Sequence, residues 1–438
     1  MKTATKNILT GSGAALCLLG LASAASASAG IVGQCADCHT MHNSQQGQAV
    51  ARIGTTGTVS AAPLPNLLRM DCIACHAQGT GEMVVTMAGG SKIPQVYHDD
   101  PSGDLAAGNF AYISGTKEGH GPASNRKGHN VVDVVTADSD FTTPPGFRHA
   151  DGALFSFDVN KFTCAGQMGC HGMRGQLLQA GDEFTGGEDV FRTGLTALSG
   201  YDGAGTSTAL FRGAHHSNYD GLKSDGAHPD FYKNPLAHSY RFIRALKGYG
   251  NEVDRWQNKD ATSHNEYIGG YVNDTLKNTD YATTSTCSRC HTGGVGGETS
   301  RLTVPNQTMT GFCITCHSNF HSSGATNGAS GAFLRHPSDY VIKDAGEYAN
   351  YTTYSIHAPV ARPVSFFTNG MTPSSEVNPG QDMVMCLSCH VAHAGPYDGM
   401  LRFDYTALTS GMRAGNGNQT HAGQGCLACH TAKGGPMP

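Results

Sequence analysis

Cys35-Ala36-Asp37-Cys38-His39-Thr40-Met41-His42 is the stretch on which the reading turns, because its pattern of two cysteines three apart with a histidine directly after the second returns five more times. The other copies are Cys72-Cys75-His76, Cys287-Cys290-His291, Cys313-Cys316-His317, Cys386-Cys389-His390 and Cys426-Cys429-His430. At this chain's cysteine and histidine frequencies, chance supplies about 0.03 such motifs, so the pattern is a signal. Two thiols at this spacing can form thioethers to the two vinyl groups on one edge of a haem, and the adjacent imidazole then meets the iron from one side. Each motif predicts one covalently attached haem c. Zinc ribbons also use paired C-x-x-C units, but they do not require a histidine after every second cysteine.

Two further cysteines form Cys164-x5-Cys170-His171. Extra residues can loop out while both thiols still reach the vinyls, and His171 keeps its place after Cys170, so the favoured reading is a seventh haem. A disulfide and a single-thioether haem are the alternatives. Seven motif histidines leave fifteen of the 22 as candidates for the opposite axial position. His42, His393 and His321 follow a motif by three or four residues. Neighbours so spaced project to the same side of a turn, so such a histidine serves a haem other than the one held by its own motif. Further candidates are His98, His129, His215 with His216, His336 and His357; His238 and His264 are alternatives. Methionine is the rival ligand, with Met41 and Met173 nearest to motifs, although methionine beside a cofactor is more often packing.

Composition narrows the class. Charged residues make up 14% of the 438, glycine accounts for 58, and hydrophobic residues reach only 39%. That is thin material for a self-sufficient apolar core of this length. A formal charge of −5 without clustered Lys and Arg excludes a nucleic-acid partner. Residues 1–29 carry Lys2, Lys6, an apolar run and Ala27-Ser28-Ala29, the layout of a signal peptide. Its removal would leave a chain starting at Gly30, take the charge from −5 to −7 by losing Lys2 and Lys6, and take the cysteines from 15 to 14 by losing Cys17. The apolar run is too short to span a bilayer, and no other membrane span is expected. The chain therefore reads as exported: extracellular or on the cell surface, with the periplasm as the alternative.

Along the mature chain, three motifs fall in an N-terminal multihaem region, 30–182, and four in a C-terminal one, 287–438. Between them residues 183–286 lack cysteine and read as an inserted segment, with a short helix near 237–246 and tyrosines at 240, 249, 267, 271 and 281. Frequent Gly and Pro predict loops and short helices with few strands, one of them near 131–135. The fold class expected is mostly irregular chain organised around a stack of porphyrins.

Cys35-Ala-Asp-Cys-His-Thr-Met-His-Asn-Ser44, Arg126-Lys-Gly-His-Asn130, Leu334-Arg-His-Pro337 and Cys386-Leu-Ser-Cys-His-Val-Ala-His-Ala-Gly395, followed by Met400-Leu-Arg-Phe403, resemble the extracellular multihaem c-type cytochromes of metal-reducing bacteria, nanowire type. The resemblance covers the mature N-terminal stretch and much of 287–438. It implies bis-histidine haems in a continuous stack and polymerisation into a conductive filament, with His42 ligating a haem of the next subunit. The widened motif, which lacks a histidine three residues on, and the Cys287 motif depart from the family pattern. They imply a longer, branched or differently paired stack.

Three functions follow in different classes. The first is electron transfer between closely packed haems, with redox proteins or extracellular acceptors as partners and no substrate pocket, so the chain reads as an electron carrier more than an enzyme. The second is a multihaem reductase whose one open iron is at the His171 motif, with Arg174 near it for an anion. The third is a monomeric periplasmic electron shuttle.

Overall fold

The computed structural model describes residues 33–64, 67–146, 158–165, 169–171, 215, 243, 246–247, 260–269, 309–314, 316–317, 336, 338, 340–363, 366, 373–408 and 422–431. The leader at 1–29, the motif Cys287-Cys290-His291, His321, His216, His238, Met173, Arg174, most of the 237–246 helix and the tyrosines other than Tyr267 lie outside them.

Regular structure is sparse and sits at the motifs. Helical turns are α1 (Cys35–Cys38), α2 (Cys72–His76), α3 (Ala111–Ser114), α4 (Met309–Ile314) and α5 (Cys386–Cys389). Each is four to six residues long, shorter than a helix that would persist alone, so packing and caps hold them. Asp71 caps α2 by accepting the N–H of Ala74 at 2.7 Å, and Gly115, with φ +71°, ends α3 in the left-handed conformation that glycine takes without cost. No helix among the described residues is long and apolar enough to cross a membrane.

Three two-residue or three-residue hairpins follow one another in the N-terminal region: β1 (Ser44–Gln45) with β2 (Gln48–Ala49), β3 (Arg52–Ile53) with β4 (Thr58–Val59), and β5 (Val84–Thr86) with β6 (Lys92–Pro94). The one larger sheet joins β7 (Leu246–Lys247), β8 (Glu266–Ile268), β9 (Tyr340–Val341), β10 (Ala361–Arg362) and β11 (Met383–Val384) in the order β7-β8-β10-β11-β9. Only β8 and β10 run parallel. Part of the cysteine-free stretch is thus woven into the sheet of the C-terminal region. The strand expected near 131–135 is a turn instead, since the N–H groups of Val134 and Val135 both donate to the carbonyl of Val131, at 3.0 Å each. Local hydrogen bonding satisfies those donors, so a run of β-branched residues never reaches a partner strand.

Apolar side chains gather in small separate clusters. Tyr267, Met309, Ala361, Met383 and Leu387 pack about the sheet, Tyr351, Tyr354, Val360 and Ala428 beneath the last motif, and Phe110, Tyr112, Ile113, Val131 and Ala394 in the N-terminal region. No cluster is large enough to organise the chain alone, as the composition implied.

Candidate functional site

Each described motif closes as a single turn. The N–H of the motif histidine donates to the carbonyl of the first cysteine: His39 to Cys35 at 2.8 Å, His317 to Cys313 at 3.1 Å, His390 to Cys386 and His430 to Cys426 at 3.0 Å. The widened motif uses the same bond, with His171 donating to the Cys164 carbonyl at 2.9 Å and Cys170 to the same oxygen at 3.0 Å. No disulfide joins Cys164 to Cys170. The longer spacing therefore ends in the geometry of the regular one.

The rings are oriented by hydrogen bonds at Nδ1. His76 bonds the carbonyl of Pro94 at 2.7 Å, His317 that of Pro145 at 2.7 Å, His390 that of Gly399 at 2.7 Å, and His129, which belongs to no motif, that of Ala392 at 2.6 Å. A carbonyl only accepts, so each ring carries its proton on Nδ1 and presents the lone pair of Nε2, the arrangement that metal-ligating histidines adopt. His430 differs: its Nδ1 faces the Glu347 carboxylate at 3.3 Å.

Four motif histidines stand opposite a second histidine from elsewhere in the chain. Ring centroids are 5.9 Å apart for His76 and His215, 6.1 Å for His171 and His393, 6.1 Å for His129 and His317, and 6.2 Å for His336 and His430. With metal–imidazole bonds of about 2.0–2.1 Å and ring centres about 1.1 Å behind the ligating nitrogen, two imidazoles sharing one metal have centroids about 6.3 Å apart. The observed spacings match that distance and are wider than the contact of stacked rings, such as the 3.6 Å between His264 and Tyr354.

Backbone close approach sets two of these pairs. Residues 391–395 are held between Gly108 and Gly128. His393 donates its N–H to Ala107 at 2.6 Å, Asn109 donates to Ala394 at 2.8 Å, His129 donates to His393 at 2.9 Å, and Gly395 donates to Lys127 at 2.8 Å. A Cβ at Gly108, whose φ is +89°, would run into the Ala394 carbonyl, and one at Gly128 into the Ala394 side chain. Glycine at both places lets three segments meet, which puts the His393 ring on Phe110 at 4.9 Å and turns it to His171.

Burial pushes the imidazole of His393 down to about 3, with His171 adding to the shift, and that of His129 down to about 4, with His317 adding. Burial also lowers His76, His317 and His390. All are neutral near neutral pH, the form in which histidine is a ligand. Burial raises the thiols of Cys72, Cys75 and Cys429 to about 12, so without a bound group they are neutral thiols.

Two arginines complete the surroundings. Arg402 donates its backbone N–H to Cys389 at 2.8 Å and its Nε to Leu387 at 2.7 Å, yet its buried Nη2 has no hydrogen-bond partner. Arg69 donates Nη1 to Ala36 at 2.8 Å and leaves its buried Nε without one, beside Cys38 and Cys75. Unpaired guanidinium nitrogens beside motif thiols are where the acid groups of a porphyrin would find partners. Imidazoles paired at the width of a shared metal, thiols in single turns and guanidinium nitrogens left without a partner beside them fit haem c. Among the described residues no three of His, Cys, Asp and Glu converge as a metal ion alone would need.

Other candidates are placed differently. His98 is buried, its Nδ1 accepting the N–H of Asp100 at 3.2 Å, while its Nε2 lies 3.6 Å from Asp104 without a hydrogen-bond partner. His264 is engaged at both nitrogens, by Asp260 and Glu266, at 3.2 and 3.1 Å. His357 and His42 are exposed. Glu347 and Arg69 carry no site signal in the sequence, and Arg402 appears there only within Met400-Leu-Arg-Phe403; each gains its role here from tertiary placement.

Neither a protein-family model nor a curated protein matches the chain. Two solved structures resemble it at 18% identity. One is an outer membrane cytochrome S filament from Geobacter sulfurreducens, covering 92% of this chain and 99% of that one with a TM-score of 0.46; the other is OmcS nanowires from the same organism, covering 93% and 95% with a TM-score of 0.43.

Proposed function

We propose that the chain is an exported multihaem c-type cytochrome that carries electrons through seven closely packed haems, six on C-x-x-C-H motifs and one on Cys164-x5-Cys170-His171. The observation that carries the reading is the four histidine pairs at 5.9–6.2 Å, each joining a motif histidine to one distant in sequence. The ligand sets are then His76 with His215, His171 with His393, His317 with His129, and His430 with His336. When bound, haem iron supplies a one-electron ferric/ferrous couple. Two fixed imidazoles leave no open coordination position and little to rearrange when the charge changes, which suits transfer and not substrate turnover.

Neighbouring attachment sites support a continuous path. The Cys75 thiol is close enough to Cys38 to interact electrostatically, as are Cys164 with Cys72, His393 with His129, His390 with His317, and Cys429 with Cys389. The described sites then follow one another in chain order, from Cys35 to Cys426, with the place of the Cys287 site left open by these residues. Exposed His42, beside Met41 at 79% exposure, is free to reach another molecule, which supports its role as the ligand donated to the next subunit of a homopolymer. Extracellular electron transfer is the setting proposed. The pairing of His171 with His393 counts against a reductase with an open iron at that site.

Optical and electron paramagnetic resonance (EPR) spectra of the purified holoprotein test this. The expected result is low-spin iron that does not bind carbon monoxide at any described pair. A high-spin fraction of one haem in the native protein, binding carbon monoxide, would instead favour the reductase.

A further inference from the structure

Four of the oriented imidazoles donate Nδ1–H to a neutral backbone carbonyl, whereas His430 alone among them faces a carboxylate. The placement of Glu347 is built. Its backbone carbonyl accepts both the N–H of Thr431, at 3.2 Å, and the Thr431 hydroxyl, and Asn350 in turn donates to that hydroxyl at 3.3 Å. Thr431 directly follows the motif histidine, so the residue that fixes Glu347 is tied to the ring that Glu347 addresses. Tyr348 packs edge-on against the ring, its centroid 5.1 Å from that of His430, and its side chain also hydrogen-bonds Glu347.

We propose that Glu347 is a positioning residue that lowers the reduction potential of the haem held by Cys426, Cys429, His430 and His336, making it the site that gives up its electron most readily among those with oriented histidines. This rests on the haem reading above. The physics is direct: a carboxylate accepting the Nδ1 proton makes the imidazole a stronger donor than a carbonyl does, and a stronger donor favours ferric over ferrous iron. The negative charge acts in the same direction. Side-chain exposures of 26% for His430 and 18% for Glu347 let water screen part of it. Altering such a partner typically changes a metal site about 10–100-fold, and the lower end applies to a half-screened pair. About tenfold in the equilibrium between the two oxidation states is about 59 mV for a one-electron couple.

The same site carries its own spectroscopic label. Its two rings are crossed at 89°, against 38–49° for the other three pairs. Crossed axial imidazoles give a more anisotropic ferric EPR signal than inclined ones, so this haem can be followed within the set.

The test is an EPR-monitored redox titration of holoprotein carrying Glu347→Gln, with haem content from intact mass. The expected result is an unchanged haem count and an upward shift of about 59 mV in the anisotropic signal alone. Thr431→Val, which loosens the clamp while keeping the carboxylate, should move the same signal upward by less. An unshifted signal at full haem content overturns the proposal, and so does an equal shift of every component, which would be a general charge effect. Should Glu347→Gln lose the haem, Thr431→Val decides: no shift there overturns it. Wild-type protein without haem would sink the underlying cytochrome reading instead, a separate outcome.

Discussion

Replacing His393 by glutamine is expected to convert one haem of the set to high spin and to let it bind one equivalent of carbon monoxide, with the covalent haem count unchanged. The reason is geometric. His393 stands 6.1 Å from His171 across a gap of the width two imidazoles need to share a metal, and its ring is fixed by Phe110 and by backbone bonds on both sides. Glutamine keeps a polar side chain of similar reach but offers no imidazole, so the iron loses its sixth ligand while the thioethers at Cys164 and Cys170 stay. Gly108→Val should have the same spectral effect without touching a ligand, since its Cβ meets the Ala394 carbonyl and displaces the neighbouring His393. Low-spin spectra throughout for both variants would mean that another side chain completes the iron of His171.

Arg362→Ala is expected to cost about 3–5 kcal/mol of stability, the penalty for stripping a buried ion network of its cation. Arg362 is fully buried, with Nε 2.9 Å from Glu266 and Nη1 2.5 Å from Asp382, and Glu266 also meets His264. These residues lie on or beside β8, β10 and β11, so the network ties residues 264–266 to the sheet of the C-terminal region. Burial would raise the Glu266 carboxyl, but His264 and Arg362 hold it below its ordinary value; without the guanidinium, two buried carboxylates remain and repel. A denaturant midpoint measured on the holoprotein reads the loss. Adding Glu266→Gln and Asp382→Asn to the alanine variant should restore part of it, because an unpaired buried amide costs less than an unpaired charge. An unchanged midpoint in the single variant would show the network to be energetically idle.

The attachment motifs were legible in the cysteine-histidine spacing, whereas the helical turns α1, α2 and α5 that carry three of them emerge only in the structure. The sparseness of regular structure was equally legible from the glycine content and the thin apolar supply. Pairing was not. His129 hydrogen-bonds the carbonyl of Ala392 and stands opposite His317, and that depends on Gly108 and Gly128 admitting the 391–395 segment, contacts between stretches far apart in sequence. The spacing argument said that a histidine three residues past a motif serves another motif's iron; it could not say that His171 is the one His393 faces. The buried network was hidden for a different reason. Glu266, Tyr267 and Ile268 are all buried, so β8 lacks the polar-out alternation that marks a strand, and a charge in such a run reads as surface until Arg362 is found opposite it. The run at 131–135 misled in the reverse direction, its β propensity being overridden by a turn centred on the Val131 carbonyl.

The intact mass of the exported protein tests the central claim most directly. Seven haem additions on a chain beginning at Gly30, falling to six when Cys164 and Cys170 are both replaced by serine, is the result this account predicts. An unmodified polypeptide mass from cells that attach haem to other c-type cytochromes would contradict it.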